Sequence, residues 1–203
     1  MFTQRVMTAL QQIERMDQEQ KETGGGIPYW RVSGDNGRLL HILCRGIGAH
    51  RAVEIGTSSG YSGIHIASAL DAANGHLWTF EREPSKLELS ARNFENAGLT
   101  AQITPVAGDV LQTLPAFLAA TPDPIDFAFL DAVKTDYVRY LEILRPHLRP
   151  GSVVCADNVG APQARAVAPF LEMVARAPFV TSIVPTRNSE TLQDALAVSI
   201  FEG

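Results

Sequence analysis

An α/β fold built on a largely parallel sheet, with helices on both faces, is the class this sequence predicts, and three observations predict it. From Arg51 onward, short β-like runs (AVEI, HLWTF, AQITPVA, IDFAFL, SVVCA) alternate with helical segments of roughly ten to sixteen residues, the rhythm of βα units. Runs such as FAFL and VVCA are apolar throughout, as expected of strands covered on both faces. After the last helical stretch, FLEMVARA, the runs FVTSIVP and ALAVSIF are joined by TRNSETLQD, which leaves no room for a crossover helix, so they pair antiparallel as a hairpin.

Taken in order, the elements begin with a helix over residues 2–20, where Phe2, Val6, Ala9, Leu10, Ile13 and Met16 fall on one apolar stripe. That stripe packs on its own domain or forms a subunit contact in a homodimer; amphipathicity does not choose between them. ETGGGIPYW follows as a Gly/Pro-rich loop. SGDNGRLLHILCRGIGA is then a helix whose apolar face is Leu39, Leu40, Ile42, Leu43 and Ile47. The βα units and the hairpin complete a chain of 203 residues, 45% hydrophobic, which is enough to bury a substantial core as one domain, 1–203.

Composition narrows the function. Seventeen Lys+Arg against 22 Asp+Glu give a net charge of -5, with no basic run to neutralise a row of phosphates, which argues against nucleic acid as a partner. Cys44 and Cys155 sit in apolar stretches and are too few for a disulfide framework, so a reducing cytoplasm fits. No stretch reaches 18 apolar residues and the first residues lack a basic start, so the expectation is a soluble, unprocessed protein without membrane partners.

The first strand leads into VEIGTSSGYSGIHIASAL, a strand, a Gly-rich turn and a helix in one stretch. In open α/β sheets ligands bind beyond the carboxyl ends of the strands, and the backbone N–H groups of such a turn favour an anionic group. Two decoys fall away. Gly56-Thr57-Ser58-Ser59-Gly60 matches the G-x-S-x-G nucleophile elbow, with Asp131 and His147 following in hydrolase order. No strand precedes Arg51 to supply an oxyanion donor, however, and His147 lies at the end of a helical pattern. Glycines at 56, 60 and 63 also miss G-x-G-x-x-G, so a ligand with a carboxylate and no phosphate suits the loop better than a dinucleotide. Glu81 ends the second strand and can accept from ribose hydroxyls; a helix-start acid ahead of Pro84 is the alternative. Asp109, after the third strand, suits an adenine amino group or an N-cap, and the two roles are compatible.

Asp131 closes the fourth strand, and Asp157-Asn158 closes the fifth, so three oxygen-bearing side chains reach one edge of the sheet. Successive strand residues point to opposite faces, so Asp157 and Asn158 share a ligand only if the chain bends, and the segment 159–162 (VGAP) offers a bend. Two carboxylates and an amide oxygen form a hard, incomplete shell suited to Mg²⁺, while the five histidines show no zinc-ligand spacing. Capping of helices or turns accounts for the same residues.

Through VSGDNGRLLHIL, AVEIGTSSGYS, TFEREP, AGDV, FLDAVKTDYVRYLE and LRPGSVVCADN, the chain from residue 32 to 159 resembles the class I S-adenosylmethionine-dependent O-methyltransferases of the catechol and caffeoyl-CoA type. The resemblance implies a Rossmann-like, seven-stranded sheet with the last strand antiparallel. It implies S-adenosylmethionine as cofactor, with Gly56, Ser58 and Ser62 at its methionine part, Glu81 at the ribose, Asp109 near the adenine, and Val32, Glu54 and Asp131 also on the cofactor side. It places the ligands of Mg²⁺, or of another divalent cation such as Ca²⁺ or Mn²⁺, on Asp131, Asp157 and Asn158. Lys134 falls beside the reacting oxygen. The implied acceptor is a small aromatic vicinal diol, with Tyr29 and Trp30 either an aromatic wall for it or packing anchors. The segment after Asn158 is shorter than in the plant enzymes, and PTRNSETLQDALAV replaces their tight Gly-Asp-Gly turn. Competing readings are a metal-independent methyltransferase acting on another nucleophile and a non-catalytic cofactor-binding or oligomeric interaction protein.

Overall fold

The computed structural model describes residues 2–187 and 193–203. Two helices, α1 (Gln4–Thr23) and α2 (Gly34–Gly46), precede β1 (Arg51–Ile55). Then come α3 (Tyr61–Ala67), β2 (His76–Glu81), α4 (Pro84–Ala97), β3 (Ile103–Ala107), α5 (Val110–Ala120), β4 (Ile125–Leu130), α6 (Tyr137–Leu144), β5 (Leu148–Ala156), α7 (Ala164–Val174), β6 (Phe179–Arg187) and β7 (Gln193–Phe201). The strands form one seven-stranded sheet in the order β3-β2-β1-β4-β5-β7-β6. Pairing is parallel from β3 through β5, and β7 lies antiparallel to both β5 and β6, the hairpin expected from the sequence. The tip of its connection, 188–192, lies outside the described residues.

Period-two alternation divides the core. All six residues of β4 are buried; Phe127 and Phe129 join the apolar cluster beneath α1–α4, while Ala128 and Leu130 join the cluster beneath α5–α7. A fully buried Phe contributes roughly 1.5–3 kcal/mol, so this central strand anchors both layers.

The first two helices start at side-chain caps. Thr3 caps α1 by accepting from the Val6 N–H at 3.2 Å, and Gly24, in the left-handed region at φ 69°, ends it. The helix therefore runs three residues past the predicted end. Its stripe residues Val6, Ala9, Leu10 and Ile13 are buried within the chain, so this part of the stripe packs on its own domain, while Met16 stays 37% exposed. Ser33 caps α2 through the Asn36 N–H. The buried face of α2 is Asn36, Gly37, Leu40 and Cys44, and Ile42, expected on that face, is 62% exposed. No helix among the described residues is long and apolar enough to cross a membrane.

The carboxyl ends of the strands are stitched into a staircase. The Gly56 N–H donates to the Phe80 carbonyl, Asp131 to Ile55, and Asp157 to Leu130, each at 2.8–3.0 Å. Because Leu130 pairs with Ala156 and Ile55 with Leu130, Asp131 stands beside Asp157 on one side and Gly56 on the other, at strand spacings of about 4.8 Å.

Candidate active site

A cavity of about 870 Å³ opens over these strand ends. Its floor and walls include Gly56, Ser58, Ser62, Glu81, Asp109, Asp131, Lys134, Asp157 and Asn158, so one space gathers nine of the residues singled out from the sequence. Val32 and Glu54 do not line it. Val32 is buried, and Glu54 is fully buried behind the glycine loop.

On the β1–β2 side the cavity is shaped by backbone geometry. Gly56 has φ 105°, and a Cβ there would collide with the backbone carbonyl of Asp131, so the close approach that requires glycine is to the neighbouring strand end. Ser58 is left-handed at φ 46°. Its N–H donates to Glu81 Oε2 at 2.9 Å and its Oγ to the Tyr29 carbonyl at 2.7 Å. Glu81 Oε1 accepts from the Arg82 and Glu83 N–H groups, so this carboxylate both shapes the turn and faces the cavity. Asp109 caps α5 through the Leu111 N–H at 2.9 Å while lining the same wall. Behind the loop, Thr57, Thr79 and Glu54 form a chain of 2.6 Å hydrogen bonds, and Glu54 Oε1 has no hydrogen-bond partner among the described residues. Burial pushes the Glu54 carboxyl up to about 7, against the hydrogen bonds of Ser62 and Thr79.

The β4–β5 side is built from charge. Lys134 Nζ donates to Asp131 Oδ1 at 2.6 Å and to the Tyr137 hydroxyl at 2.9 Å. Tyr137 lies within 3.0 Å of the Leu130 carbonyl and 2.9 Å of the Asp157 carbonyl, tying both strand ends together, and burial followed by the charges of Asp131 and Asp157 holds its hydroxyl proton firmly. Asp157 Oδ1 accepts from Asn36 Nδ2 at 3.1 Å. Burial raises both carboxyls above the usual carboxylate range; Asp131 is partly relieved by Lys134, and Asp157 is pushed further by Asp131. The bend needed between Asp157 and Asn158 comes from Asn158 itself, at φ 57°, one residue earlier than the 159–162 segment expected to supply it. Among the described residues no three His, Cys, Asp or Glu side chains converge as a metal cluster; the trio here is two acids and an amide.

The third wall comes from the amino-terminal region. Trp30 is 73% exposed and lines the cavity, whereas Tyr29 is buried with its hydroxyl 3.4 Å from Met16 Sδ, so the aromatic pair divides into one wall residue and one anchor. Lys86, buried and unremarked in the sequence, donates to Ser58 Oγ at 2.9 Å and to the Pro28 carbonyl, and its Nζ stands 4.7 Å from the Trp30 ring centroid. Asp17, 1% exposed, is paired with Lys21 and with Arg31 at 2.8 and 2.9 Å, and all three line the cavity. Sequence alone marks none of these four, because each looks like an ordinary surface charge on a helix or loop. Asp194, also missed, accepts from Asn158 Nδ2 at 2.8 Å. His147 precedes β5 and so lies at the opposite edge of the sheet from Ser58, which removes the hydrolase reading.

Comparison with known proteins agrees with this architecture. The model of a family described as O-methyltransferase matches residues 6–163. Over 134 residues the chain is 36% identical to a catechol O-methyltransferase of Niastella koreensis, an alignment covering 66% of this chain and 60% of that protein. The chain thus spans about three fifths of that curated relative. An O-methyltransferase of Streptomyces achromogenes involved in tomaymycin synthesis, solved in complex with SAM, superposes with a TM-score of 0.83 at 31% identity, covering 96% of this chain and 90% of that one. A Bacillus cereus O-methyltransferase in complex with SAH gives 0.84 at 25% identity, with 96% and 91% covered.

Proposed function

Because the chain belongs to the O-methyltransferase family, we propose that it transfers the methyl group of S-adenosylmethionine to one hydroxyl of a small catechol-like diol, with Mg²⁺ or a similar divalent cation at Asp131, Asp157 and Asn158. The observation that carries this reading is the pairing of two opposed walls over one cavity: a backbone-lined glycine loop on β1–β2 and an oxygen-rich, negatively charged rim on β4–β5.

The rim fits a hard cation. Asp131 and Asp157 stand together with Asp194 behind them, against the Lys134 ammonium, an excess of negative charge that burial makes costly. Asn36 donates to Asp157 Oδ1, and Asp194 holds the nitrogen of Asn158, leaving the amide oxygen. All are oxygen donors, the set preferred by Mg²⁺, Mn²⁺ and Ca²⁺. When bound, S-adenosylmethionine supplies an electrophilic methyl carbon, and a divalent cation lowers the pKa of an acceptor hydroxyl that starts near 10 for a phenol.

The chain's own residues do the rest. Gly56, Ser58 and Ser62 form the seat for the amino-acid end of the cofactor, Glu81 accepts from its ribose hydroxyls and Asp109 from its adenine amino group. Val32 and Glu54 support that seat from behind. Lys134 Nζ, fixed between Asp131 and Tyr137, holds positive charge beside the acceptor oxygen as its proton leaves. Trp30 stands at the entrance as the flat apolar surface for an aromatic ring. Fixing both partners in one enclosed space supplies much of the acceleration.

The test is methyl transfer to catechol from labelled S-adenosylmethionine, with and without a chelator. The expected result is loss of transfer on chelation and recovery with added Mg²⁺. Transfer undiminished by chelation would defeat the cation while leaving the methyl transfer standing. The short Lys134–Asp131 pair favours that second, metal-independent reading, in which Asp157→Ala leaves turnover almost unchanged.

A further inference from the structure

We infer that Asp194, at the start of β7, is a positioning residue that sets which end of the Asn158 amide faces the cavity; the inference rests on the divalent-cation reading of the rim. Asp194 is 6% exposed. Its Oδ1 accepts from the N–H groups of Gly160 and Ala195 at 2.9 and 2.8 Å, which fixes the carboxylate in place, and its Oδ2 accepts from Asn158 Nδ2 at 2.8 Å. A carboxylate accepts and does not donate, whereas an amide presents two donors on one atom and an acceptor on the other. Asp194 therefore dictates the flip state: the nitrogen of Asn158 turns toward it, and the oxygen is left for the cavity. The site is tightly fitted, since a Cβ on Gly160 would lie 2.6 Å from Asp194 Oδ1.

This arrangement also explains why position 158 carries an amide and not a third carboxylate. An acid at 158 would set two carboxylates against each other where Asn158 now donates. The reverse substitution at 194 has the complementary fault. With Asp194→Asn, the new carbonyl oxygen still accepts from the Gly160 and Ala195 N–H groups, so its amino group faces Asn158 donor to donor. Asn158 then satisfies the contact by flipping, which turns its own amino group toward the cavity and removes an oxygen ligand. Combining the two substitutions restores a donor at 194 opposite an acceptor at 158 and returns an oxygen to the cavity at unchanged net charge.

The experiment measures Mn²⁺ binding to the full chain, by the electron paramagnetic resonance signal of free Mn²⁺, without cofactor or acceptor, alongside thermal melting. Asp194→Asn is expected to weaken binding about tenfold or more, as for other outer-shell partners of metal ligands, with melting near that of the parent. The double variant Asn158→Asp/Asp194→Asn is expected to bind within about threefold of the parent or tighter. Parent-like binding by Asp194→Asn, or a double variant no better than that single, overturns the assignment. Should Asp194→Asn not fold, Asn158→Asp against the double variant makes the same comparison: recovery in the double supports the pairing, and no gain overturns it. Asp157→Ala separates the two levels. Loss of Mn²⁺ there keeps the cation reading whatever the variants at 194 do, whereas parent-like binding by Asp157→Ala removes that reading and this inference with it.

Discussion

The two long walls of the cavity solve the problem of holding a ligand in opposite ways. The β1–β2 wall works through main chain: left-handed turns at Gly56 and Ser58, N–H groups directed by Glu81, and a carboxylate, Glu54, kept behind the surface. The β4–β5 wall works through side-chain charge: burial raises the carboxyls of Asp131 and Asp157, the Lys134 ammonium opposes that rise in both, and Asp131 adds to it in Asp157. Main-chain recognition is spread over many modest contacts and tolerates single changes. A dense charge cluster is not so forgiving, because removing one member leaves the rest uncompensated.

Substitutions can break or sharpen that contrast. Asp157→Ala is expected to lower catechol methylation by about a thousandfold, the several kcal/mol that a bound cation contributes, while leaving the dissociation constant for S-adenosylmethionine within about threefold. A parallel loss of cofactor binding, measured by calorimetry, would show that the two walls are not independent. Lys134→Ala should reduce turnover about a hundredfold. Lys134→Arg sharpens the point, since an arginine keeps the charge and cannot act as a base: partial rescue marks electrostatic help at that position, and activity no better than the alanine variant marks proton transfer.

The hidden carboxylate of the first wall carries a pH signature. Glu54 has a folded-state pKa of about 7 against roughly 4.3 in an unfolded chain. The folded form therefore binds more protons between those values, and the stability tied to Glu54 is greatest below about pH 4 and falls as pH rises to about 7. Urea unfolding at pH 5 and pH 8 should show Glu54→Gln losing less stability over that span than the parent, by on the order of a few kcal/mol. Equal losses in the two proteins would mean that the carboxylate finds a compensating donor. The smallest effect belongs to the third wall: Trp30→Ala, at a largely exposed position, should change stability by no more than about 0.5 kcal/mol while raising the acceptor KM about fivefold. An unchanged KM would remove Trp30 from the acceptor surface.

The same contrast explains what the sequence made legible. Strand ends are easy to find because both-face burial writes unbroken apolar runs, and a polar residue that interrupts one, as Asp131 and Asp157 do, stands out. Gly56 is legible for a related reason, and the structure adds a requirement the sequence did not show, clearance from the Asp131 carbonyl. Asp17, Lys21, Arg31 and Lys86 are invisible at that level, since their place in the cavity wall depends on how α1 and the 24–31 segment fold over distant strands. Ile42 fails for the same reason: helical periodicity identifies a face, and only packing decides how wide that face is. Asn158 was legible as a candidate ligand, but the backbone twist that lets it line the cavity together with Asp157 was not, because a left-handed asparagine carries no mark in its neighbours.

Because β7 runs against its neighbours, it brings its first residues to the rim where the parallel strands bring their last. Its side chains alternate, with Leu196 in one core layer and Ala195 and Ala197 in the other. A slip of this strand by one residue would turn Asp194 to the opposite side and invert that whole series at once. Parity thus couples the integrity of the interior to the chemistry at the opening. A slip of two residues would restore the facing of the interior series, yet it would still carry Asp194 roughly 6.8 Å along the strand and out of its contact with Asn158.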